Sequence, residues 1–178
     1  SDSELVEMLR EPRTRREGFA VLVKQYSEKL YWKVRRIVLS HEDANDVLQN
    51  VFIKVWSNLQ NFQGKSSLST WLYRIAVNES LDFLRKQKLA DKVSTDEDDS
   101  VASRLMSDEY FDGDEVQTRL QEAVARLPEV QRTVFNLKYF EEMKYSEISQ
   151  ILNTSEGALK ASYHLAVKKI TEYLHLFD

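Results

Sequence analysis

The chain has 178 residues, with 25 Lys and Arg against 29 Asp and Glu, and a formal net charge of −4. Hydrophobic residues make up 42% of it, enough for the core of one ordinary domain or of two small ones. The absence of cysteine excludes disulfides, thiol nucleophiles and Cys-ligated metals, and it fits a reducing cytoplasm. With only 4 Gly and 2 Pro, the chain is poor in the residues of tight hairpin turns, which favours a mostly helical fold. The longest apolar run, 19–23, is too short to span a membrane, and the polar N-terminus does not resemble a signal peptide.

Charge is unevenly distributed along the chain. Residues 1–86 carry 14 basic and 11 acidic side chains, residues 87–115 carry 3 and 10, and residues 116–178 carry 8 of each. This pattern predicts two domains, 1–86 and 116–178, joined by an acidic linker over 87–115. The segment 94–100 has no apolar residue and cannot offset its own ordering entropy, so we interpret it as a flexible tether. The alternative is an acidic segment that occupies a basic groove on a partner.

Three helices are predicted in the first block. Apolar residues recur at helical spacing over 17–37, and a second helix begins near Ser40, whose side chain we expect to cap it. Residues 61–67 break the pattern and indicate a loop, and a third helix follows over about 69–86. Short connections predict an antiparallel bundle.

Two polar faces stand out on these helices. The second helix carries one that consists of Asp43, Asp46, Gln49 and Asn50; the alternative is an ordinary solvated surface, which would be the better explanation for a single Asp. The third helix places cationic and amide side chains beside aromatic ones, which suits single-stranded nucleic acid because bases stack on rings while basic groups follow the phosphates. The residues concerned are Arg74, Asn78, Asp82 and Arg85, with Trp71 and Tyr73 near the start of the helix. Trp71 is explained equally well as a core residue.

The last block predicts a helix-turn-helix. A helix over 116–127 is followed by Pro128 in the first turn of a helix that continues to about Tyr139. We expect Ser146 to cap a short helix over 147–152, and Ser155, after a tight turn at 153–154, to cap a longer one over 156–174. A short helix, a tight turn and a longer helix are typical of this DNA-binding motif.

The longer helix carries a basic face opposite its apolar stripe. Lys160, His164 and Lys168 follow one another at intervals of four residues. The first turn of such a helix points at base edges in a major groove, and nearby cations neutralise phosphates. The alternative is an ordinary solvated lysine face. His164 has no partner in the sequence, so no metal site is predicted there.

Three segments in order resemble the bacterial RNA polymerase sigma factors of the sigma-70 family. Residues 46–56 look like the family's region 2.2, residues 71–78 look like regions 2.3–2.4, and residues 127–128, 145–148 and 155–160 look like region 4. The small size, with nothing between the two regions but a linker, is similar to the extracytoplasmic-function (ECF) subgroup.

The resemblance implies an all-α fold of two small helical domains, and a protein that binds core RNA polymerase and directs it to promoters. It assigns polymerase binding to Asp43, Asp46, Gln49 and Asn50, with Phe52 and Trp56 packed behind them. The acidic linker would enter the basic nucleic-acid channel of the polymerase.

The resemblance further implies that the first domain opens the −10 element and holds a flipped base. Extracting a base from the stack costs a few kcal/mol, which contacts in the pocket must offset. The residues assigned to this interface are Gly64, Lys65, Ser66, Ser67, Trp71, Arg74, Asn78, Arg85 and Lys86. The −35 element would be read in its major groove by Ser155, Glu156, Lys160, His164 and Lys168. Ser162 and Leu165 stand where the family commonly has Arg, which predicts a weaker salt dependence of this contact.

The family is commonly held inactive by an anti-sigma protein, often membrane-bound, and the resemblance implies no catalytic activity, no cofactor and a cytoplasmic location. One alternative is a stand-alone dimeric helix-turn-helix regulator, which does not explain the function of the first block. The other alternative is an enzyme. The sequence argues against it, because the three histidines, His41, His164 and His175, lie on separate segments and no Gly-rich nucleotide-binding loop is present.

Overall fold

The computed structural model describes residues 1–90 and 115–178, which belong to two compact units. Within these two ranges the regular structure consists of eight α-helices and contains no strand, so the prediction of an all-α fold is confirmed. None of the helices in the described ranges is long and apolar enough to cross a membrane. The predicted tether at 94–100 lies outside the described residues.

The first unit contains four α-helices and one 3₁₀ turn. Helix α1 (Asp2–Arg10) is followed by α2 (Arg15–Val38) and α3 (His41–Ser57), the 3₁₀ turn (Leu59–Asn61) and α4 (Leu68–Ala90). Helix α2 packs against each of the other three helices, and α3 also packs against α4. The three predicted helices are present, and α4 continues past the predicted end at residue 86.

Helix α1 was missed by the sequence analysis. It buries Leu5 and Leu9 against the unit, and its approach to α2 is close at Gly18, where an added Cβ would lie 3.0 Å from Cβ of Met8. A helix of nine residues with two buried leucines is too short to give a strong periodic pattern.

The core of the first unit follows the predicted apolar stripes. The largest fully buried apolar side chains are Leu22, Leu30 and Val34 of α2, Val47, Val51 and Val55 of α3, and Leu72 and Val77 of α4. Arg35 is buried beside them, and its Nη1 donates to the carbonyl oxygen of Leu39, the left-handed residue (φ 72°) that ends α2. The cation thus lies at a helix C-terminus, where unpaired carbonyls favour positive charge.

The second unit also contains four α-helices. They are α5 (Glu115–Ala125), α6 (Glu129–Phe135), α7 (Tyr145–Leu152) and α8 (Glu156–His175), and a π turn (Asn136–Phe140) extends α6. The core cluster consists of Ala123, Val124, Leu127, Phe135, Ala166 and Ile170. The predicted turn at Asn153 is confirmed, since this residue ends α7 in the left-handed conformation with φ 51°. Asn tolerates that conformation better than most residues because its side chain forms local hydrogen bonds.

Several local expectations for this unit were wrong. Pro128 lies at the N-cap of α6, just before the first helical residue. Helix α7 begins at Tyr145, so Ser146 already lies inside it and forms no cap; the N-cap is Lys144. The apolar stripes of the predicted helices would include Val116, Val130 and Val167, but all three are exposed.

Candidate protein and nucleic-acid interfaces

The polar face predicted on the second helix is an exposed stripe of α3. Ser40 caps this helix as expected, its Oγ accepting from the backbone N–H of Asp43 at 3.1 Å. Because Val47 and Val51 are buried, the helical period turns Asp46, Gln49 and Asn50 outward, and all three are exposed. Asp43, held in the first turn by the cap, is half-buried. The four predicted polymerase-binding residues therefore lie on one accessible side of α3; we call it the α3 stripe.

An aromatic patch lies between α2 and α3. The Phe19 ring meets Phe52 edge-on with centroids 6.4 Å apart, and it meets Trp56 with centroids 5.1 Å apart. Phe52 is half-buried, in line with its expected packing role. Trp56 is 46% exposed, so the expectation that it packs behind the polar residues is only partly met. Ile53 on the same helix is also exposed, which the sequence analysis did not foresee.

The loop expected to hold a flipped base connects the 3₁₀ turn to α4. Gly64 has φ 72°, a left-handed conformation that favours glycine. Ser67 caps α4 by accepting from the backbone N–H of Thr70 at 3.2 Å, a role the sequence analysis missed. Lys65 is exposed and Ser66 is half-buried. The loop therefore presents one cation and two hydroxyl groups beside a helix N-terminus.

Trp71 is neither fully buried in the core nor fully exposed. It lies in the first turn of α4 and packs against Phe62 with ring centroids 5.0 Å apart. It is only half-buried, so part of the ring faces solvent. A ring that is braced from one side and open on the other is suited to stacking.

The rest of the predicted −10 face follows α4. Arg74, Asn78, Arg85 and Lys86 are all exposed. Arg85 pairs with Asp82, since its Nη2 lies 2.5 Å from Oδ1 of that carboxylate one turn earlier. This ion pair partly neutralises a cation that the resemblance assigned to the DNA backbone. A solvent-exposed ion pair of this kind contributes little to the free energy of folding, and it breaks readily when a partner competes for the cation.

The helix-turn-helix consists of α7, the turn at Asn153 and α8. Ser155 caps α8 as predicted, its Oγ accepting from the backbone N–H of Ala158 at 3.2 Å. On the core side Leu159, Ala166 and Ile170 are buried. On the outer side the five predicted −35 residues are all exposed: Ser155, Glu156, Lys160, His164 and Lys168. Of the two positions commonly Arg in the family, Ser162 is half-buried and Leu165 is exposed.

An aromatic cluster supports the start of this motif. The Tyr145 ring, at the start of α7, has the ammonium of Lys138 at 4.4 Å and that of Lys160 at 5.7 Å from its centroid, and its edge meets Tyr163. Burial, with the neighbouring Tyr145 and Tyr139, raises the pKa of Tyr163. The cluster brings Lys160 close to α7, a relationship between distant residues that no local sequence pattern predicts.

No group of His, Asp and Glu in the described ranges has a spacing that could hold a metal ion. The candidate sites consist of polar, cationic and aromatic side chains that are exposed or half-buried.

Comparison with known proteins identifies two sigma-70 regions in the chain. The family model for sigma-70 region 2 matches residues 22–90, and the model for sigma-70 region 4 matches residues 117–170. The ECF RNA polymerase sigma factor SigW of Bacillus subtilis is 33% identical over 157 residues, which cover 83% of this chain and 84% of SigW. The RNA polymerase sigma-H factor of Pseudomonas aeruginosa is 31% identical over 97% of this chain and 93% of its own length.

A similar fold is found in the sigma factor RpoE of Bartonella quintana, solved in complex with the anti-sigma factor NepR. Its TM-score is 0.66 at 21% identity, over 88% of this chain and 96% of that one.

The chain belongs to the sigma-70 family of RNA polymerase sigma factors, in its ECF subgroup. It is a sigma factor that directs promoter-specific initiation of transcription. The stand-alone helix-turn-helix regulator is not favoured, because the first unit matches sigma region 2 and thereby has a function.

Proposed function

We propose that the α3 stripe binds core RNA polymerase, that the loop at 64–67 with the exposed face of α4 engages the −10 element, and that the outer face of α8 reads the −35 element. The domain limits we propose are 1–86 and 116–178, with the acidic segment 87–115 between them. One observation carries the proposal: Asp46 and Gln49 are exposed on a helix whose opposite face is buried, so both side chains are available to a partner.

The chemistry of the α3 stripe supports a protein partner. Carboxylate and amide groups pair with cationic and polar side chains across an interface, while Ile53 and Trp56 nearby supply apolar area. Trp is among the residues that contribute most to binding energy when buried by a partner. The stripe thus offers polar groups that define orientation, and a hydrophobic area that contributes affinity.

The proposed −10 interface has the components that an extracted base requires. Trp71 offers a partly open ring, Asn78 offers an amide for a base edge, and Lys65 and Arg74 offer charge for phosphates. We expect opening to depend strictly on a good −10 sequence, because Arg74 and Ile75 stand where housekeeping sigma factors have two tryptophans.

Transcription by the reconstituted holoenzyme tests the proposal. The full chain is mixed with purified core polymerase, and run-off transcripts are made from upstream regions mapped by transcript sequencing after overexpression of the chain. Specific transcripts that need both proteins are the expected result. If the chain neither binds core polymerase nor yields a promoter-specific transcript, the assignment is wrong.

We also propose that an anti-sigma protein covers the polymerase-binding face. The support is that the structurally similar RpoE was solved with the anti-sigma factor NepR. Co-purification of the chain with the product of a neighbouring gene tests this. The expected complex inhibits run-off transcription and competes with core polymerase; a product that binds without inhibition would contradict the proposal.

The chain acts, in this proposal, as a non-enzymatic initiation factor in the cytoplasm, where it meets the polymerase and the promoter. Its proposed binding partners are core RNA polymerase, promoter DNA and the anti-sigma protein. No cofactor is assigned, and no direct membrane insertion is proposed.

A further inference from the structure

Arg10 lies against the loop that the proposed function assigns to the −10 element. An ideal Cβ built on Gly64 would lie 3.0 Å from Nη2 of Arg10, so the guanidinium rests against the backbone of this glycine. A side chain at position 64 would occupy the space that the guanidinium uses. Arg10 belongs to α1, the helix that the sequence analysis missed, and it is exposed.

The end of α1 is held firmly on the bundle. Thr14 Oγ1 donates to the Met8 carbonyl at 2.8 Å, and Arg15 donates from Nε to the Leu9 carbonyl at 2.9 Å and from Nη2 to the Arg10 carbonyl at 3.1 Å. These bonds satisfy carbonyls that a helix C-terminus leaves unpaired. The backbone that carries Arg10 is therefore fixed relative to the start of α2.

The other end of α1 is anchored as well. The Tyr26 hydroxyl lies 3.0 and 3.1 Å from the two carboxylate oxygens of Asp2, and Leu5 and Leu9 are buried between the two ends. A helix tied at both ends and packed along its length loses little further freedom when one of its side chains binds a ligand.

No carboxylate among the residues that the structure describes forms an ion pair with Arg10. Lys65, which follows Gly64 in the loop, is exposed, so the loop carries a second cation next to the glycine that Arg10 approaches. Arginine offers a planar fork of donors that matches phosphate oxygens, and paired cations at one loop favour a polyanion.

We propose that Arg10 is a further DNA-binding residue of this sigma factor, which contacts a phosphate of the −10 strand beside the loop at 64–67. The inference rests on the proposed function of that loop. It assigns to α1 a part in promoter opening beyond its packing against α2.

Holoenzyme made with Arg10→Ala tests this contact. The probe is a single-stranded non-template oligonucleotide that spans the −10 element of a promoter transcribed by the wild-type holoenzyme. We expect affinity to fall about 10- to 100-fold, the range of a hydrogen bond to a charged group. The slope of log affinity against log salt should fall by about 0.7, since one phosphate contact to a single strand is lost.

Two variants separate a phosphate contact from a structural effect. Arg10→Lys keeps the charge and should recover most of the salt slope. Arg16→Ala removes the same charge from an exposed position at the start of α2 and should leave affinity and slope unchanged. Thermal unfolding of all three should match that of the wild-type protein.

Each contrary result is informative. Equal affinity and slope for Arg10→Ala and wild type would overturn the inference and leave the proposed function intact. A loss of affinity with an unchanged slope would mean that Arg10 only shapes the loop, which also overturns the contact. If the wild-type holoenzyme transcribes nothing and binds no −10 strand, the proposed function itself has failed.

Discussion

Lys54 and Glu79 form an ion pair that joins α3 to α4 between the two surfaces proposed for polymerase and promoter. The Glu79 side chain is only 11% exposed, whereas that of Lys54 is 53% exposed. The hydrogen bond to Glu79 raises the pKa of Lys54, because it favours the charged ammonium form. Lys54 of α3 therefore provides the positive charge that pairs with the nearly buried carboxylate of Glu79 on α4.

Removing either partner of this pair should have unequal effects on stability. Lys54→Met leaves a nearly buried carboxylate without its cation and should cost about 1–3 kcal/mol in the free energy of unfolding. Glu79→Gln leaves an ammonium in contact with water and should cost about 1 kcal/mol or less. Urea unfolding at neutral pH measures both. A larger cost for Glu79→Gln than for Lys54→Met would contradict the burial argument.

Ionisation of the Tyr26 phenol should lower the stability of the first unit at alkaline pH. Burial, with the hydrogen bond to Asp2, raises the pKa of this phenol above its ordinary value of 10.0. The neutral phenol is thus favoured in the folded protein, so its contribution is fully present below pH 10.0 and is lost as the pH rises through the higher folded value.

The variant Tyr26→Phe isolates that contribution. It should lower the free energy of unfolding by about 1 kcal/mol at neutral pH, because it removes the hydrogen bond to a carboxylate. Since Phe cannot ionise, the difference from wild type should shrink as the pH rises above 10.0 in urea titrations. A difference that stays constant or grows there would contradict the assignment.

Ser155 and Ser146 allow a controlled comparison, because Ser155 caps α8 whereas Ser146 lies inside α7 and caps nothing. Ser155→Ala removes a cap bond and should cost about 1 kcal/mol. It should also weaken −35 binding, because the first turn of α8 frays. Ser146→Ala removes an exposed hydroxyl inside α7 and should change stability by less than about 0.5 kcal/mol. Thermal unfolding compares the two, and an equal loss would contradict the observed capping.

Lys168 and Lys169 are neighbours on α8, and both are exposed. Only Lys168 continues the face of Lys160 and His164, because residue 169 lies about 100° further round the helix. Lys168→Ala should reduce the salt slope of holoenzyme binding to a duplex −35 element by about 0.9, and Lys169→Ala should not. Equal slopes for the two variants would argue against this face as the reading surface.

The long amphipathic helices were predictable from the sequence because each buries a stripe that repeats at the helical period. Ser40 and Ser155 were predictable as caps because each directly precedes such a stripe. Ser146 failed as a cap because Tyr145, held between Lys138 and Tyr163, is already the first residue of α7. That arrangement depends on residues outside the local segment.

The candidate sites were predictable where exposure follows from the helical period, as it does for Asp46 and Lys160. Contacts between elements were not. The rest position of Arg10 on Gly64 joins residues of α1 and the distant loop, and the partial exposure of Trp56 depends on how Phe19 packs against it. Spacing along one helix contains no information about either.

The affinity of the chain for core RNA polymerase tests the central claim most directly. A double variant, Asp46→Ala with Gln49→Ala, changes two exposed side chains at the centre of the α3 stripe. Glu28→Ala is the control, since it removes an exposed carboxylate from α2. The account predicts that the double variant binds core polymerase about tenfold more weakly or worse, while the control binds like wild type. Wild-type affinity of a folded double variant would contradict it.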